Sequence, residues 1–194
     1  MSLEVSGISN SNTQFEPLES GVYNAVCTAI AAVGRVKNPA FNTISNKVYI
    51  KFEVEKENGE TGEIWMGETQ SIKSKSRLGA KLVSWRQKDF SPEELRSFKL
   101  VNILGVPAQI VVSRITTKSG KPFSSVDNIL PAKKKLTASE TWTYDVDDPA
   151  QTNYDKLPKF IQTVIENNQD LNGAVAPSQT MNVAVEDDLS SIPF

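Results

Sequence analysis

Hydrophobic and polar residues alternate most regularly between residues 47 and 55. Val48, Ile50, Phe52 and Val54 occupy every second position, and Lys, Tyr or Glu residues stand between them. Because successive side chains of a strand point to opposite faces, this spacing predicts a strand with one face in the core. Asn58-Gly59 is a hairpin signal, so residues 63–67 are predicted to form the return strand.

Three further segments have the composition of strands. Residues 21–33 are rich in Val, Ala and Ile, and residues 34–46 contain the Gly, Asn and Pro residues that are typical of a loop. Residues 101–115 are apolar and β-branched with a break at Gly105-Val106-Pro107, and residues 123–130 follow a turn at 118–121. The chain is therefore predicted to contain about five strands.

Helical spacing occurs between the third and fourth strands and again near the C-terminus. In residues 74–86 the spacing of Leu78, Leu82 and Trp85 predicts one buried face. Ser91-Pro92 has the sequence of a helix start, so a short helix is predicted to reach residue 98. Residues 157–167 have the apolar spacing of a short amphipathic helix that caps the core.

This order of elements predicts a mainly β fold. Five strands with a helical insert between strands 3 and 4 form an OB-like barrel; another small β barrel or an α+β sheet fits the same pattern. We expect a flexible N-terminus over residues 1–20, an OB-like domain over 21–168, a linker over 169–185 and an acidic tip over 186–194. The tail from residue 169 onward is expected to be disordered.

Charge is divided unevenly along the chain. Residues 21–136 contain 19 Lys and Arg and 10 Asp and Glu, a net charge of +9, whereas residues 137–194 carry a net −8. A basic body with acidic ends indicates a polyanionic partner for the body.

The composition excludes several classes of site. The chain has no histidine, which removes Ser-His-Asp triads and the usual zinc sites. Cys27 is the only cysteine, in keeping with a reducing compartment, and neither a Walker loop nor a dinucleotide-binding fingerprint is present. We therefore expect no enzyme activity, cofactor or metal. The sequence has no long apolar run or signal-peptide pattern, so we expect a cytoplasmic protein without membrane contact.

The last nine residues combine an acidic lead with an apolar tip. Asp187-Asp188 precede Leu189-Ser190-Ser191, and the chain ends in Ile192-Pro193-Phe194. An apolar ring beside a terminal carboxylate can be captured by a pocket with a basic residue. This tip resembles the C-terminal tip of bacterial single-stranded-DNA-binding proteins, which recruits replication and repair enzymes in that family. Leu189-Ser190-Ser191 interrupts the acidic run of the family pattern.

The body resembles a family of phage and prophage DNA-replication proteins with OB-like folds. The matching stretches are Glu19-Ser20-Gly21-Val22-Tyr23, residues 76–86 with Trp85, Leu100-Val101-Asn102-Ile103-Leu104-Gly105, and Asp155-Lys156-Leu157-Pro158-Lys159-Phe160-Ile161. The resemblance covers residues 19–168 and implies a phage-encoded single-stranded-DNA-binding protein.

Single strands are held by a basic groove and by aromatic faces on which bases stack. In OB folds strands 2 and 3 and two loops form this face, and the alternation places Tyr49, Lys51 and Trp65 on it. The candidate DNA-binding residues are Arg35, Lys37, Phe41, Tyr49, Lys51, Trp65, Lys118, Lys121 and Phe123. The alternatives are core packing for Trp65 and Phe123, a loop anchor for Phe41, and solvated surface for the lysines.

Two other basic groups have open interpretations. One contains Lys73, Lys75, Arg77, Lys81 and Arg86, which either extend a phosphate track or form a solvated helix face. The other, Lys133-Lys134-Lys135, can contact phosphate or hold the acidic tail.

The function that these features predict is sequence-nonspecific binding of single-stranded DNA in phage replication and recombination. Its partners are single-stranded DNA and, through Asp187, Asp188, Ile192, Pro193 and Phe194, host or phage replication and repair proteins. The alternative is an interaction protein that uses the tip to divert host enzymes and has no DNA surface.

Overall fold

The computed structural model describes residues 16–38, 40–73, 75–117, 119–148, 150 and 152–172, and these residues form a mainly β structure. The strands are β1 (Gly21–Asn38), β2 (Thr43–Glu55), β3 (Thr61–Thr69), β4 (Pro107–Thr116), β5 (Pro122–Pro131) and β6 (Trp142–Asp145). The helices are α1 (Arg77–Arg86), α2 (Pro92–Ser97), α3 (Lys159–Glu166) and α4 (Gln169–Asn172), with 3-10 turns at Leu100–Ile103 and Tyr154–Lys156.

The strands form one sheet in the order β3-β2-β1-β4-β5, and all neighbours along this path are antiparallel. β6 lies off the path and pairs in parallel with the middle of β1. The mainly β fold and the helical insert between β3 and β4 are thus confirmed. The predicted count of five strands is wrong, because the polar segment before residue 154 contributes β6.

β1 and β2 are longer than the sequence predicted. The expected loop over residues 34–46 is mostly strand, since β1 continues to Asn38 and β2 starts at Thr43. Gly34 adopts a positive φ of 69° at a register shift between Ala32 and Gly34. A bulge accommodates this glycine within the ladder, so the cross-strand hydrogen bonds prevail over the local turn signals.

The inner face of the sheet holds the main core. Val48, Ile50, Phe52 and Val54 are buried, as their alternation predicted. The insert packs on the same core through Leu78, Leu82 and Trp85, the predicted face of α1. Helix α1 begins at Arg77, after its N-cap Ser76, instead of at residue 74.

The two ends of the strand order, β3 and β5, approach within 8 Å between Cα atoms, but no hydrogen-bonded ladder joins them in the described residues. Lys81 of α1 connects them: its Nζ donates to Glu68 Oε1 of β3 at 2.5 Å and to the Val126 carbonyl of β5 at 2.7 Å. Leu18 is buried beside this seam, and its carbonyl accepts a hydrogen bond from Ser124 Oγ.

A second apolar cluster covers the outer face of β1, β2 and β3. It contains Tyr144 of β6 together with Leu157, Ile161 and Ile165 from the predicted capping helix, which is confirmed as α3. Helix α4 occupies the start of the expected linker. Within the segment expected to be a flexible N-terminus, Leu18 is buried and Ser20 Oγ accepts a hydrogen bond from the Arg114 N–H. Residues 1–15 lie outside the described part.

Candidate nucleic-acid interface

The far ends of β1 and β2 form a hairpin, residues 34–47, which we name the arm. β4 pairs only with Gly21–Val26, β6 pairs with Ala29–Ala32, and the ladder of β3 ends at Lys47 opposite Thr69. Beyond these points the described ladders pair β1 and β2 only with each other. The arm therefore extends past the body of the sheet.

The turn of the arm exposes apolar side chains. Asn42 adopts a left-handed conformation with φ 47°, which asparagine tolerates better than most residues. Phe41 is 76% exposed and Ile44 is also exposed. A solvent-facing ring at the end of a hairpin is available to stack on a base or to contact a protein.

The charges of the arm have one sign. Arg35, Lys37 and Lys47 lie on it, and the sequence contains no Asp or Glu between residues 21 and 52. Lys47 Nζ lies 5.4 Å from the centre of the Tyr49 ring. The backbone N–H of Lys37 donates to Asn168 Oδ1 at 3.0 Å, so the C-terminal end of the described chain steadies the arm.

The connection from β3 to α1 extends this positive surface. The Gln70 N–H donates to the Asn46 carbonyl at 2.8 Å and thereby joins the connection to the arm. Lys73 and Lys75 follow and are exposed, as is Arg77. Residues 70–88 contain no acidic residue. We name the six cations Arg35, Lys37, Lys47, Lys73, Lys75 and Arg77 the basic surface.

Two acidic groups border the basic surface. Arg77 lies 3.5 Å from Glu68, whose side chain is buried by Lys81 and points away from solvent. Asp145 and Asp147 line a pocket at the base of the arm together with Arg35. Three lysines of the arm and the connection, Lys37, Lys47 and Lys75, have no acidic partner among the described residues.

The expectation that Tyr49 and Trp65 face solvent is wrong. They are 7% and 9% exposed, because β6 and α3 cover this face of the sheet. The Tyr49 ring packs edge-on against Phe160, with 5.8 Å between ring centroids. The Trp65 ring packs at a tilt against Trp142, with 5.9 Å between ring centroids. Burial raises the pKa of the Tyr49 hydroxyl.

Lys51 is also withdrawn from the predicted interface. Its Nζ forms an ion pair with Glu63 on the neighbouring strand, and both side chains are partly buried. Gly67, the cross-strand partner of Tyr49, leaves the space that the tyrosine ring fills: an added Cβ would lie 2.6 Å from Tyr49 Cε1. The outer face of β2 and β3 is thus a packed layer rather than an open groove.

The loop between β4 and β5 lies at the opposite end of the sheet from the arm. Val112, shortly before this loop, pairs with Gly21 at the start of β1, whereas the arm is at the end of β1. Lys121 is exposed and Phe123 is 50% exposed. Lys118 lies outside the described residues.

Phe123 and Trp65 meet at an apolar cleft of about 390 Å³, which Phe160 and Leu18 also line. The Trp65 Nε1–H has no hydrogen-bond partner among the described residues. The structure therefore divides the predicted DNA-binding residues: Arg35, Lys37 and Phe41 lie on the arm, and Trp65 and Phe123 lie together at the other end. They do not converge on one surface.

The predicted helical basic group, Lys73, Lys75, Arg77, Lys81 and Arg86, divides into side chains that are exposed and side chains that are bonded within the fold. Lys81 is 5% exposed and bonded to Glu68. Arg86 forms an ion pair with Glu94 and lies over the rings of Phe90 and Phe98 at 4.6 and 5.2 Å. Only Lys73, Lys75 and Arg77 remain exposed, next to the arm. Sequence analysis overlooked Lys47, whose place at the arm base depends on where the ladder of β3 ends.

Lys133-Lys134-Lys135 are exposed after β5, and Lys134 forms an ion pair with Glu55. The predicted docking residues Asp187, Asp188, Ile192, Pro193 and Phe194 lie outside the described residues.

The described residues contain no group of three or more Cys, Asp or Glu side chains that could hold a metal ion. None of their helices is long and apolar enough to cross a membrane.

Sequence comparisons add no family to this geometry. No protein-family model matches the chain, and no curated protein matches its sequence. The case for a function therefore rests on the residues and their arrangement.

Proposed function

We propose that the protein binds single-stranded DNA without enzymatic activity, and that the basic surface holds the phosphates. The observation that carries the proposal is the arm: a projecting hairpin with Arg35, Lys37 and Lys47, an exposed Phe41, and no acidic residue. Cations on one surface supply most of the affinity for a nucleic-acid backbone, and an exposed ring beside them offers a stacking face.

The fold is consistent with this role. The strand order, the approach of β3 to β5, and the position of α1 across their seam support an OB-like barrel, which we propose for this chain. In such barrels the loop after the first strand contacts oligonucleotides. Here that loop is the arm, and the outer face of β2 and β3 is covered by the C-terminal layer, so we place the strand along the arm and its base.

The resemblance to phage replication proteins supports a role in replication and recombination in the host cytoplasm. The resemblance of the tip supports recruitment of replication or repair proteins through Phe194 and its carboxylate. The rival function, a decoy that uses the same tip without DNA contact, requires no basic arm.

Charge substitution tests the proposal directly. Changing Lys37, Lys47 and Lys75 together to Gln should weaken binding to oligo(dT) and reduce the slope of log K against log salt by about 2, since each phosphate contact on a single strand contributes about 0.7. Fluorescence anisotropy at several salt concentrations measures the slope.

The matched control changes Lys56, Lys88 and Lys159 to Gln. None of them belongs to the basic surface, and Lys56 lines a pocket at the start of β1, the end opposite the arm. The net charge therefore changes equally, and the slope should stay near that of the parent protein. An equal loss in both triple variants would mean that net charge alone attracts DNA. Absence of any binding by the parent protein would favour the decoy function.

A capture experiment tests the tip. Phe194→Ala should abolish retention of host replication or repair proteins and leave oligo(dT) affinity unchanged, because the tip carries no cation. Retention of the same proteins by the variant contradicts the recruitment role.

A further inference from the structure

A polar pocket of about 390 Å³ opens at the base of the arm. It is lined by Gly34, Arg35, Asn46, Gln70, Asp145 and Asp147, together with Ala32. Its volume falls within the range of ligand sites in proteins, about 300–1,000 Å³. Four separate segments, β1, β2, the end of β3 and the end of β6, bring their polar side chains to this one place.

The hydrogen-bonding groups of the pocket are complementary to a base edge. The side-chain amides of Asn46 and Gln70 have no hydrogen-bond partner among the described residues, although their backbones are bonded to each other. Each amide offers two donors and one acceptor. Asp145 and Asp147 add carboxylate oxygens that only accept, and one Asp145 oxygen already accepts the Asp147 N–H at 3.0 Å.

The pocket also lies in the path that the proposed function gives to the strand. Lys47 adjoins Asn46, and Lys73 and Lys75 follow Gln70, so phosphates held by the basic surface bring their bases to the pocket mouth. The backbone turns at Gly34 with φ 69°, which shapes the wall between Ala32 and Arg35.

We propose that this pocket holds the edge of one base of the bound strand and prefers a base with an exocyclic amino group, adenine first. An Asn or Gln amide pairs with the N6 and N7 atoms of adenine through two hydrogen bonds, and the carboxylates accept further N–H donors. Thymine has no exocyclic amino group, and its single ring donor, N3–H, lies between two carbonyl oxygens that the carboxylates of Asp145 and Asp147 repel. The inference rests on the proposed function and adds base preference at one position to nonspecific phosphate contact.

Oligonucleotides that differ at three central positions test this preference with the full chain. A dT15 strand is compared with strands in which the three central residues are dA, dC or dG. The dA strand should bind about tenfold more tightly than dT15, the lower part of the range for one bidentate pair. Equal affinity for all four overturns the pocket and leaves the proposed function standing.

An amide double variant assigns the preference to the pocket. Asn46→Ala with Gln70→Ala should remove the preference for dA and leave dT15 affinity and its salt dependence unchanged. Asn102→Ala, at an exposed amide on the 3-10 turn Leu100–Ile103, is the matched control and should keep the preference. A preference that persists in the double variant overturns the assignment.

Competition with free dAMP distinguishes recognition of a base within a strand from binding of a free nucleotide. At concentrations up to about 1 mM it should not displace the oligonucleotide, since one base edge without the phosphate track contributes too little affinity. Displacement by micromolar dAMP overturns the strand assignment. Failure of the parent protein to bind any oligonucleotide rejects the proposed function itself, a result distinct from equal affinity for all bases.

Discussion

Strands β1 and β2 pass through two regions with different surroundings, the middle of the sheet and the arm. In the middle of the sheet both faces are covered, one by the main core and one by β6 and α3, and Tyr49 and Lys51 are withdrawn from solvent. On the arm beyond Lys47 the described ladders pair β1 and β2 only with each other, and Phe41 and Lys37 are exposed. Alternation identified the strand in the middle of the sheet, whereas the arm was expected to be a loop. In both regions the cover supplied by distant segments decided which outward residues are available to a ligand.

The largest expected effect is on the free energy of unfolding, when one aromatic ring is removed from each region in turn. Trp65→Ala should lower the free energy of unfolding by about 4 kcal/mol, because it leaves a cavity beneath Trp142. Phe41→Ala should change it by less than about 0.5 kcal/mol, as at exposed positions generally. Urea unfolding followed by circular dichroism gives both values, and similar costs for the two variants contradict the contrast.

The rate at which Cys27 is alkylated gives an independent measure of the difference in stability between the Trp65→Ala and Phe41→Ala variants. Burial raises the pKa of its thiol to about 12, and a thiol at that pKa is almost wholly protonated at pH 8 and inert to alkylation. Iodoacetamide should therefore label Trp65→Ala faster than the parent protein, and Phe41→Ala at the parent rate.

The second contrast concerns two lysines of the helical basic group. Lys81→Met should destabilise the fold by about 3 kcal/mol, because the Glu68 carboxylate remains buried after losing its closest partner. Adding Glu68→Leu should restore much of the loss. Lys75→Met should leave stability unchanged and weaken DNA binding. Thermal melting and a DNA titration on the three variants distinguish structural from ligand-binding cations.

A smaller effect is expected for stacking. Phe41→Ala should weaken oligo(dT) binding by about 1–3 kcal/mol, the usual contribution of one base–ring contact. Phe123→Ala is the companion at the opposite end of the sheet. An equal loss extends the interface to the β4–β5 loop, as the sequence predicted, whereas an effect at Phe41 alone confines it to the arm. No change at Phe41 removes the arm tip from the interface.

The smallest effect concerns the covering layer in alkaline solution. Burial and the nearby Asp145 raise the pKa of Tyr144 to about 12. The hydroxyl of a tyrosine in the unfolded chain has its ordinary pKa of 10.0. The stability that the neutral Tyr144 contributes is therefore complete below pH 10 and is lost as pH rises toward 12. Tyr144→Phe should shift alkaline unfolding to higher pH. At pH 7 the substitution should leave the free energy of unfolding nearly unchanged, because the buried Tyr144 hydroxyl has no hydrogen-bond partner among the described residues. An unchanged alkaline midpoint contradicts this.

Local sequence determined the elements whose signals are short-range. The alternation of Val48 to Val54 identified the inner face of β2, the spacing of Leu78, Leu82 and Trp85 identified the buried face of α1, and Ser91-Pro92 identified the start of α2, where the capping box is present. These signals depend on contacts within a few residues, or on one apolar face that must be buried against some core.

The tertiary structure alone decided the outer face, the length of the arm and the fate of each cation. Tyr49 and Trp65 are buried by residues 111 and 77 positions away in sequence, a relation that no periodicity within one strand contains. One signal was present: α3 needs an apolar surface to cover, and two large aromatic rings on an otherwise polar strand face provide it. The pocket at the arm base has the same origin, because four segments that are remote in sequence meet there only after the sheet has formed.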